Sequence, residues 1–216
     1  TDKIGREDET IHQVKHRIIK ENNYESILKE IESNKQLCIE FLFNTEQYIY
    51  GDIVGVGMKI GDNIPYYIDF SENHIESFAR TFKEYFESEE IEKYGHNMKK
   101  DIIGLLRLKI NIKNIGFDTM IGQYLLNPAQ SNYSINELGK EHLNIYGIDE
   151  EGLLGKGKKK KTYKDLSIED RAEHTSMVLD LVYRLKEPIK EKIKQQEMDK
   201  LYYEVELPLV EVLAHM

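Results

Sequence analysis

The sequence predicts an α/β domain whose core is a mixed sheet of about five strands, the first three antiparallel, with helices on its flanks. Branched and aromatic residues are concentrated in three early runs separated by tight turns, a pattern typical of an antiparallel meander. Beyond residue 70, apolar residues recur at helical spacing and alternate with short strand-like runs. A chain of 216 residues is long enough for one domain with a sizeable core.

The amino-terminal part of the chain is charged, and its apolar residues follow a helical pattern. Residues 8–34 therefore predict two helices, with a break near Asn22 and Asn23. We expect residues 1–24 to form a helical lead-in to the main domain. The three predicted strands then follow at residues 36–43, 53–60 and 64–70.

Helical patterns dominate the remainder of the chain. The longest predicted segment, residues 165–195, is expected to be interrupted near Pro188, because proline lacks the amide hydrogen that a helix interior needs. Ser71 can cap a helix over residues 71–90, and the lysine-rich stretch 155–161 is predicted to be a loop. The other predicted elements are short strands at 91–95 and 115–117 and helices at 97–108, 119–126 and 134–143.

The tail, residues 196–216, is predicted to be helical with one apolar face. Pro208 is expected to kink this helix. The apolar face carries residues at intervals of four: Leu201, Val205, Leu209 and Leu213. We expect this face to pack on another part of the protein.

Composition excludes several classes of protein. The formal net charge of −9 argues against a nucleic-acid binder that uses its whole surface, although a local basic patch remains compatible with it. Cys38 is the only cysteine, so no internal disulfide can form, and we expect a cytoplasmic location. No apolar run approaches the roughly 20 residues of a membrane-spanning helix, so we expect no membrane association.

Five segments of the chain share order and spacing with a known enzyme domain. They are IVGVGMKI from residue 53, HNMKKDIIGLL from 96, GFDTMIGQYLLNPAQ from 116, GKGKKKKTYKDL from 155 and VELPLVEVLAHM from 205. Together they resemble the 3′–5′ exonuclease domain of bacterial family-A DNA polymerases, the DNA polymerase I family. The resemblance implies a ribonuclease-H-like strand order, an exonuclease-like domain over residues 25–200, and a helix at 201–216 that leads into a polymerase domain.

The resemblance also implies a site in which four carboxylates hold two divalent metals that hydrolyse phosphodiesters. The first family motif is an Asp-x-Glu pair on one strand, whose side chains share a face. An ungapped alignment places Glu40 at the Asp position and Leu42 at the Glu position. A second alignment, with a shorter turn, replaces the Asp by Asn44 and keeps the Glu as Glu46. Either alignment breaks the pair, because leucine and asparagine are poor substitutes for a metal-bridging carboxylate.

The second motif is retained, whereas the third is not. Asn97 and Asp101 match the second motif. In the third, a Tyr-x-x-x-Asp pattern, His174 replaces the Tyr and Val178 replaces the Asp, and the helix turns Asp180 away from His174. The residual metal candidates are therefore Glu40 and Asp101. We expect no functional catalytic set in this domain, and neither a metal nor any other cofactor.

The lysine-rich loop is the candidate DNA contact outside the old site. Its lysines are Lys156, Lys158, Lys159, Lys160 and Lys161. Such a run can contact phosphates without reading base sequence. The alternative is an ordinary solvated loop that contacts no ligand.

The leading interpretation is a degenerate exonuclease domain that acts as a structural part of a polymerase in DNA replication and repair. Its partners would be the polymerase domain of the same parent chain and, through the parent, DNA. One alternative is an active proofreading exonuclease with unusual ligands, which would require Mg²⁺ or Mn²⁺. A second alternative is a stand-alone nucleic-acid-binding or interaction domain.

Overall fold

The computed structural model describes residues 12–19, 23–45, 47–70 and 74–216. Six strands within these ranges form one sheet. They are β1 (Arg17–Ile19), β2 (Gln36–Phe43), β3 (Ile53–Lys59), β4 (Tyr66–Asp69), β5 (Glu92–Gly95) and β6 (Ile115–Asp118). Their order across the sheet is β1-β4-β3-β2-β5-β6.

The helices lie between and after the strands. They are α1 (Glu25–Asn34), α2 (His74–Phe86), α3 (Met98–Arg107), α4 (Thr119–Leu126), α5 (Ile135–Leu143), α6 (Glu150–Leu154), α7 (Ile168–Gln195), α8 (Asp199–Leu201) and α9 (Leu207–His215). One short 3-10 turn, Gly157–Lys159, lies within the predicted lysine loop, and a second, Tyr163–Asp165, follows the loop. Ser71, the predicted cap of α2, lies outside the described residues. None of the helices in the described ranges is both long and apolar enough to cross a membrane.

The predicted mixed sheet is confirmed. Strands β2, β3 and β4 are antiparallel neighbours, and β5 and β6 add to the sheet in parallel. β3 accompanies β2 along most of its length, whereas β5 pairs with β2 only over Gln36–Cys38. Beyond Cys38, the β5 side of β2 is therefore open to a side-chain partner, and the functional site is built there.

The sixth strand, β1, corrects the expected helical lead-in. Arg17–Ile19 pair in parallel with β4, in the register Ile18↔Tyr67, and residues 12–16 have no regular structure. The spacing of Val14, Ile18 and Ile19 fits a helix, but pairing at the sheet edge satisfies the backbone of this segment instead. Residues 1–11 and 20–22, which include Asn22, lie outside the described residues.

Two cores form on opposite faces of the sheet because β2 alternates its side chains. Leu37, Ile39, Phe41 and Phe43 join a cluster with α1, α2 and α3. Cys38 joins the cluster built on α7. Glu40 and Leu42 follow the alternation, so they lie on the α7 side of the sheet.

α7 approaches that side of the sheet closely at Gly57, which pairs with Glu40 across β2 and β3. A Cβ at Gly57 would lie 2.3 Å from Thr175 Cγ2, so the close approach requires glycine. The predicted interruption near Pro188 is wrong, because α7 runs unbroken from Ile168 to Gln195. Buried packing by Leu185 and Ile189 holds the helix across the proline.

The last helical stretch contains a π-helical segment at Tyr202–Glu206, directly before Pro208. A π turn widens the helix, and Pro208 follows it in the first turn of α9, where the missing amide hydrogen costs little. The buried residues are Tyr202, Leu207 and Val210, and α9 packs against α3. The predicted apolar row is not covered within the described residues, with exposures of 43–47% for Leu201, Val205, Leu209 and Leu213.

Candidate functional site

Asp101 fills the gap that opens between β2 and β5. Its side chain is fully buried, and Oδ1 accepts a hydrogen bond from the backbone N–H of Phe41 at 2.7 Å. The carboxylate thus replaces β5 as the partner of β2 beyond Cys38. Asp101 Oδ2 has no hydrogen-bond partner among the described residues.

The first turn of α3, which carries Asp101, is held by another carboxylate. Asp118 accepts the N–H of Asn97 at 3.1 Å and the N–H of Met98 at 2.7 Å. Asn97 has a left-handed backbone (φ 57°), a conformation that asparagine adopts more readily than most residues. Asn97 is thus a turn residue at the start of α3, and Asp118 is a positioning residue that motif reasoning did not single out.

Lys100 forms a nearly buried ion pair with Glu40, from a position next to Asp101 in the chain. Its Nζ contacts Glu40 Oε1, and the two side chains are only 14% and 9% exposed. Burial alone would lower the pKa of Lys100, but the neighbouring Glu40 and Asp101 carboxylates outweigh it and raise this pKa. Burial raises the pKa of Glu40, and Lys100 opposes that effect. A cation of the chain itself therefore lies beside the carboxylates at these motif positions.

The two positions of the third motif have separate surroundings on α7. His174 Nε2 lies 3.3 Å from the Tyr163 hydroxyl. Burial, reinforced by Lys100, lowers the pKa of His174 to about 4, so the ring is neutral near pH 7. Val178 is buried in the apolar cluster on α7. Asp180 lies away from this site, as helical spacing predicts, and pairs with His12 at 2.8 Å.

The candidate residues of the first motif also lie in different surroundings. Asn44 lies in the turn after β2, where its Oδ1 accepts the N–H of Asp52 at 2.8 Å, and Glu46 lies outside the described residues. Leu42 packs with a small apolar cluster around Val54. Cys38 shares the face of Glu40, and both carboxylates, Glu40 and Asp101, contribute to raising its thiol pKa after the larger effect of burial. Cys38 and Glu40 thus lie on the same face of β2, and Phe41 between Glu40 and Leu42 provides the direct contact with Asp101.

These residues do not fit the two-metal site that the resemblance implies. Paired Mg²⁺ ions need several clustered oxygen ligands. Here Glu40 is neutralised by Lys100, and Leu42 and Val178 offer no ligand atom. Among the residues that the structure describes, no group of three or more His, Cys, Asp or Glu side chains could hold a metal ion.

An open cleft of about 500 Å³ lies beside Glu40 and Lys100. Aromatic and basic side chains contribute to its lining: Phe43, Tyr48, Tyr163, Lys100, Lys160 and Lys161. Two other lysines of the loop do not line the cleft. Lys156 forms an ion pair with Glu151, and Lys159 is exposed to solvent. Lys160 both lines the cleft and pairs with Glu150 at 3.2 Å. The lysine loop therefore reaches the candidate site, and ion pairs with Glu150 and Glu151 neutralise part of its charge.

Lys100 and Tyr163 were missed by sequence reasoning. Lys100 lies directly before Asp101 in the chain, and a lysine is not a metal ligand that the motif pattern would indicate. Its partner Glu40 is 60 residues away in the chain, so no local pattern indicates the pair. The signal that the sequence does offer is a positive charge one residue before Asp101.

The family profile and the curated relatives that match this chain all belong to DNA polymerase I. The sequence profile described as "DNA polymerase I, ribonuclease H-like domain" matches residues 37–204. The DNA polymerase I of Chloroflexus aurantiacus is 27% identical over 201 residues, covering 88% of this chain and 21% of that protein. The DNA polymerase I of Bacillus subtilis is 27% identical over 139 residues, covering 64% of this chain and 15% of that protein. The chain thus spans no more than 21% of the length of these relatives.

Solved structures share the fold. The structure titled "POL domain of Pol1 from M. smegmatis complex with DNA primer-template and dNTP" superposes with a TM-score of 0.71 at 15% identity, covering 92% of this chain and 31% of that chain. Brucella melitensis NrnC superposes with a TM-score of 0.68 at 12% identity, covering 93% of this chain and 90% of that chain. The expected ribonuclease-H-like fold is confirmed.

Proposed function

Because the chain belongs to the family of DNA polymerase I ribonuclease H-like domains, we propose that it is a 3′–5′ exonuclease-like domain that has lost hydrolysis and serves as a structural part of a bacterial DNA polymerase. Its setting would be replication and repair in the cytoplasm. The chain covers only part of its relatives, so the polymerase activity would reside in other parts of the parent protein.

The ion pair between Lys100 and Glu40 supports this proposal most strongly. Two-metal hydrolysis needs cations with open coordination positions, which activate the attacking water and stabilise the leaving oxygen. An ammonium group supplies one positive charge and hydrogen bonds, but no coordination position for water or phosphate. A carboxylate held by Lys100 in a nearly buried pair is a poor metal ligand, because exchanging the partner requires desolvated charges to separate.

The residues that now occupy the motif positions have structural roles that explain their presence without catalysis. Asp101 joins α3 to β2 through the Phe41 N–H. His174 pairs with Tyr163, and its low pKa leaves it neutral. Val178 packs in the α7 core. In this account the old site has become part of the domain core.

The exposed apolar face of the last helix supports a docking role. Leu201, Val205, Leu209 and Leu213 form a row that the domain itself does not cover. Exposed apolar rows of this kind commonly mark contact surfaces. The occupant we propose is the polymerase domain of the same parent chain.

The lysine loop is the proposed contact with DNA. Lys160 and Lys161 line the cleft, where they can approach a phosphate backbone. The ion pairs of Lys156 and Lys160 with neighbouring glutamates reduce the charge available. We therefore expect weak DNA binding that is measurable mainly at low salt.

A second candidate function, an active Mg²⁺- or Mn²⁺-dependent exonuclease, is favoured by one observation. Asp101 Oδ2 is buried without a partner among the described residues, as a metal-ligating oxygen would be in the absence of its metal. Activity would require Glu40 to exchange Lys100 for a metal ion.

A nuclease assay separates the two functions. We expect no Mg²⁺- or Mn²⁺-dependent shortening of a 5′-labelled single-stranded DNA, and the same result for Asp101→Ala. A known proofreading exonuclease in the same buffer provides the positive control. Shortening from the 3′ end that disappears in Asp101→Ala would overturn the proposal.

A further inference from the structure

Lys100 lies where the charges of two buried carboxylates converge. Its Nζ contacts Glu40 Oε1, and its own chain neighbour is Asp101. Burial is the largest single influence on the pKa of Lys100 and lowers it, but the two carboxylates together outweigh burial and raise this pKa. The ion pair connects α3 to the central strand β2, although its two residues are 60 positions apart in sequence. It therefore helps to position α3 on the sheet.

A second observation indicates that this place can receive a cation. Asp101 is fully buried, and its Oδ2 has no hydrogen-bond partner among the described residues. An unpartnered carboxylate oxygen in a protein interior is costly, and a neighbouring positive charge reduces that cost. Lys100 supplies the charge, but its hydrogen bond goes to Glu40.

We propose that the Lys100 ammonium replaces a divalent cation as the counterion of Glu40 and Asp101, and that shortening this side chain creates a single divalent-cation site on these carboxylates. The inference rests on the proposed function, since a domain with resident metal ions would have no place for the ammonium. Glu40 and the free oxygen of Asp101 would be the protein ligands. The site would take one ion rather than two, because Leu42 and Val178 provide no oxygen.

The physical reason is charge balance in a poorly solvated place. Without Lys100, two buried carboxylates would repel each other with no internal cation in contact. A hard divalent cation restores the balance and accepts oxygen ligands from both residues and from water. With so few protein ligands its affinity would be weak, so the effect is expected at millimolar metal concentration.

The test compares thermal unfolding of the full chain with and without millimolar Mn²⁺. Lys100→Ala is expected to lower the unfolding midpoint by about 5–15 °C without metal, because it leaves a buried charge unpaired. Mn²⁺ should raise the midpoint of Lys100→Ala by several degrees and leave that of the unsubstituted protein unchanged. Lys99→Ala, at the exposed neighbouring position, is the matched control and should show neither effect.

Two further variants keep the outcome decisive. The double variant Glu40→Gln/Lys100→Ala should lose the response to Mn²⁺, because it lacks one ligand. Should Lys100→Ala fail to fold, Lys100→Met retains most of the buried stem, and Mn²⁺ binding to it is measured by electron paramagnetic resonance. An absent Mn²⁺ response in the folded Lys100 variants, or an equal response in the unsubstituted protein, overturns the inference. Metal-dependent nuclease activity of the unsubstituted protein would instead overturn the proposed function, so the two failures are distinguishable.

Discussion

The hydroxyl of Tyr202 accepts a hydrogen bond from the backbone N–H of Asp118 at 2.8 Å and donates one to its carbonyl oxygen at 3.0 Å. The Asp118 carboxylate meanwhile accepts four backbone N–H groups, two at the start of α3 and two at the start of α4. The last helical stretch is therefore connected through one residue to the helix that carries Lys100 and Asp101. A domain docked on that stretch would therefore contact a segment that is hydrogen-bonded to the candidate site through Asp118.

Tyr202→Phe should lower the free energy of unfolding by about 1–3 kcal/mol, because it leaves a buried N–H and a buried carbonyl without their partner. Tyr203→Phe is the matched control, since Tyr203 is 38% exposed and lies at the adjacent position. Urea unfolding monitored by circular dichroism measures both. Equal stabilities of the two variants would show that the contact with Asp118 contributes nothing.

His174 should make the domain more sensitive to acid. Its pKa is about 4 in the folded chain because of burial and Lys100, against about 6.5 for an unperturbed histidine. Between these two pKa values, His174 binds a proton in the unfolded chain but not in the folded chain. The contribution of the neutral His174 to the free energy of unfolding is therefore fully present above pH 6.5 and is lost as pH falls towards 4.

We therefore expect the stability of the unsubstituted protein, relative to His174→Gln, to fall by about 1–2 kcal/mol between pH 7 and pH 5. Glutamine stays neutral throughout and can still reach Tyr163. Urea unfolding of both proteins at the two pH values provides the measurement. Parallel pH profiles would mean that His174 titrates normally in the folded chain.

The cleft lysines should account for the salt dependence of any DNA binding. Replacing Lys160 and Lys161 by glutamine is expected to reduce the log–log salt slope on single-stranded DNA by up to about 0.7 per lost phosphate contact. Lys190→Gln/Lys194→Gln on α7 changes the net charge equally at exposed positions and serves as the control. Fluorescence anisotropy at several salt concentrations measures the slopes. The same slope for both double variants would remove the loop as the DNA contact.

Much of the fold could be predicted from the sequence because its signals are local. The branched and aromatic residues of β2 and the turn at Gly61 indicate strands directly, and helical spacing indicates α2 and α7. The errors occurred where distant contacts decide the structure. Arg17–Ile19 become a strand only because β4 offers an edge, and α7 continues through Pro188 because its flanking residues are buried.

The last helix carries two apolar rows, of which one is buried and the other exposed. Leu201, Val205, Leu209 and Leu213 form a regular apolar row, yet the adjacent row containing Tyr202 and Val210 is the one that is buried. Both rows have a four-residue spacing, and periodicity alone does not choose between them. The hydrogen bonds of Tyr202 with Asp118, made 84 residues away in sequence, favour the second row. The Lys100 pair with Glu40 was hidden from sequence reasoning for the same reason.

We propose that Lys100, rather than metal ions, neutralises the carboxylates of Glu40 and Asp101. A crystal soaked in Mn²⁺ and a deoxynucleoside monophosphate tests it most directly, through the anomalous signal of manganese. We predict no anomalous peak at Glu40 or Asp101 and a Lys100 ammonium still in contact with Glu40. Two peaks about 3.5–4 Å apart beside these carboxylates, with Lys100 displaced, would contradict the claim.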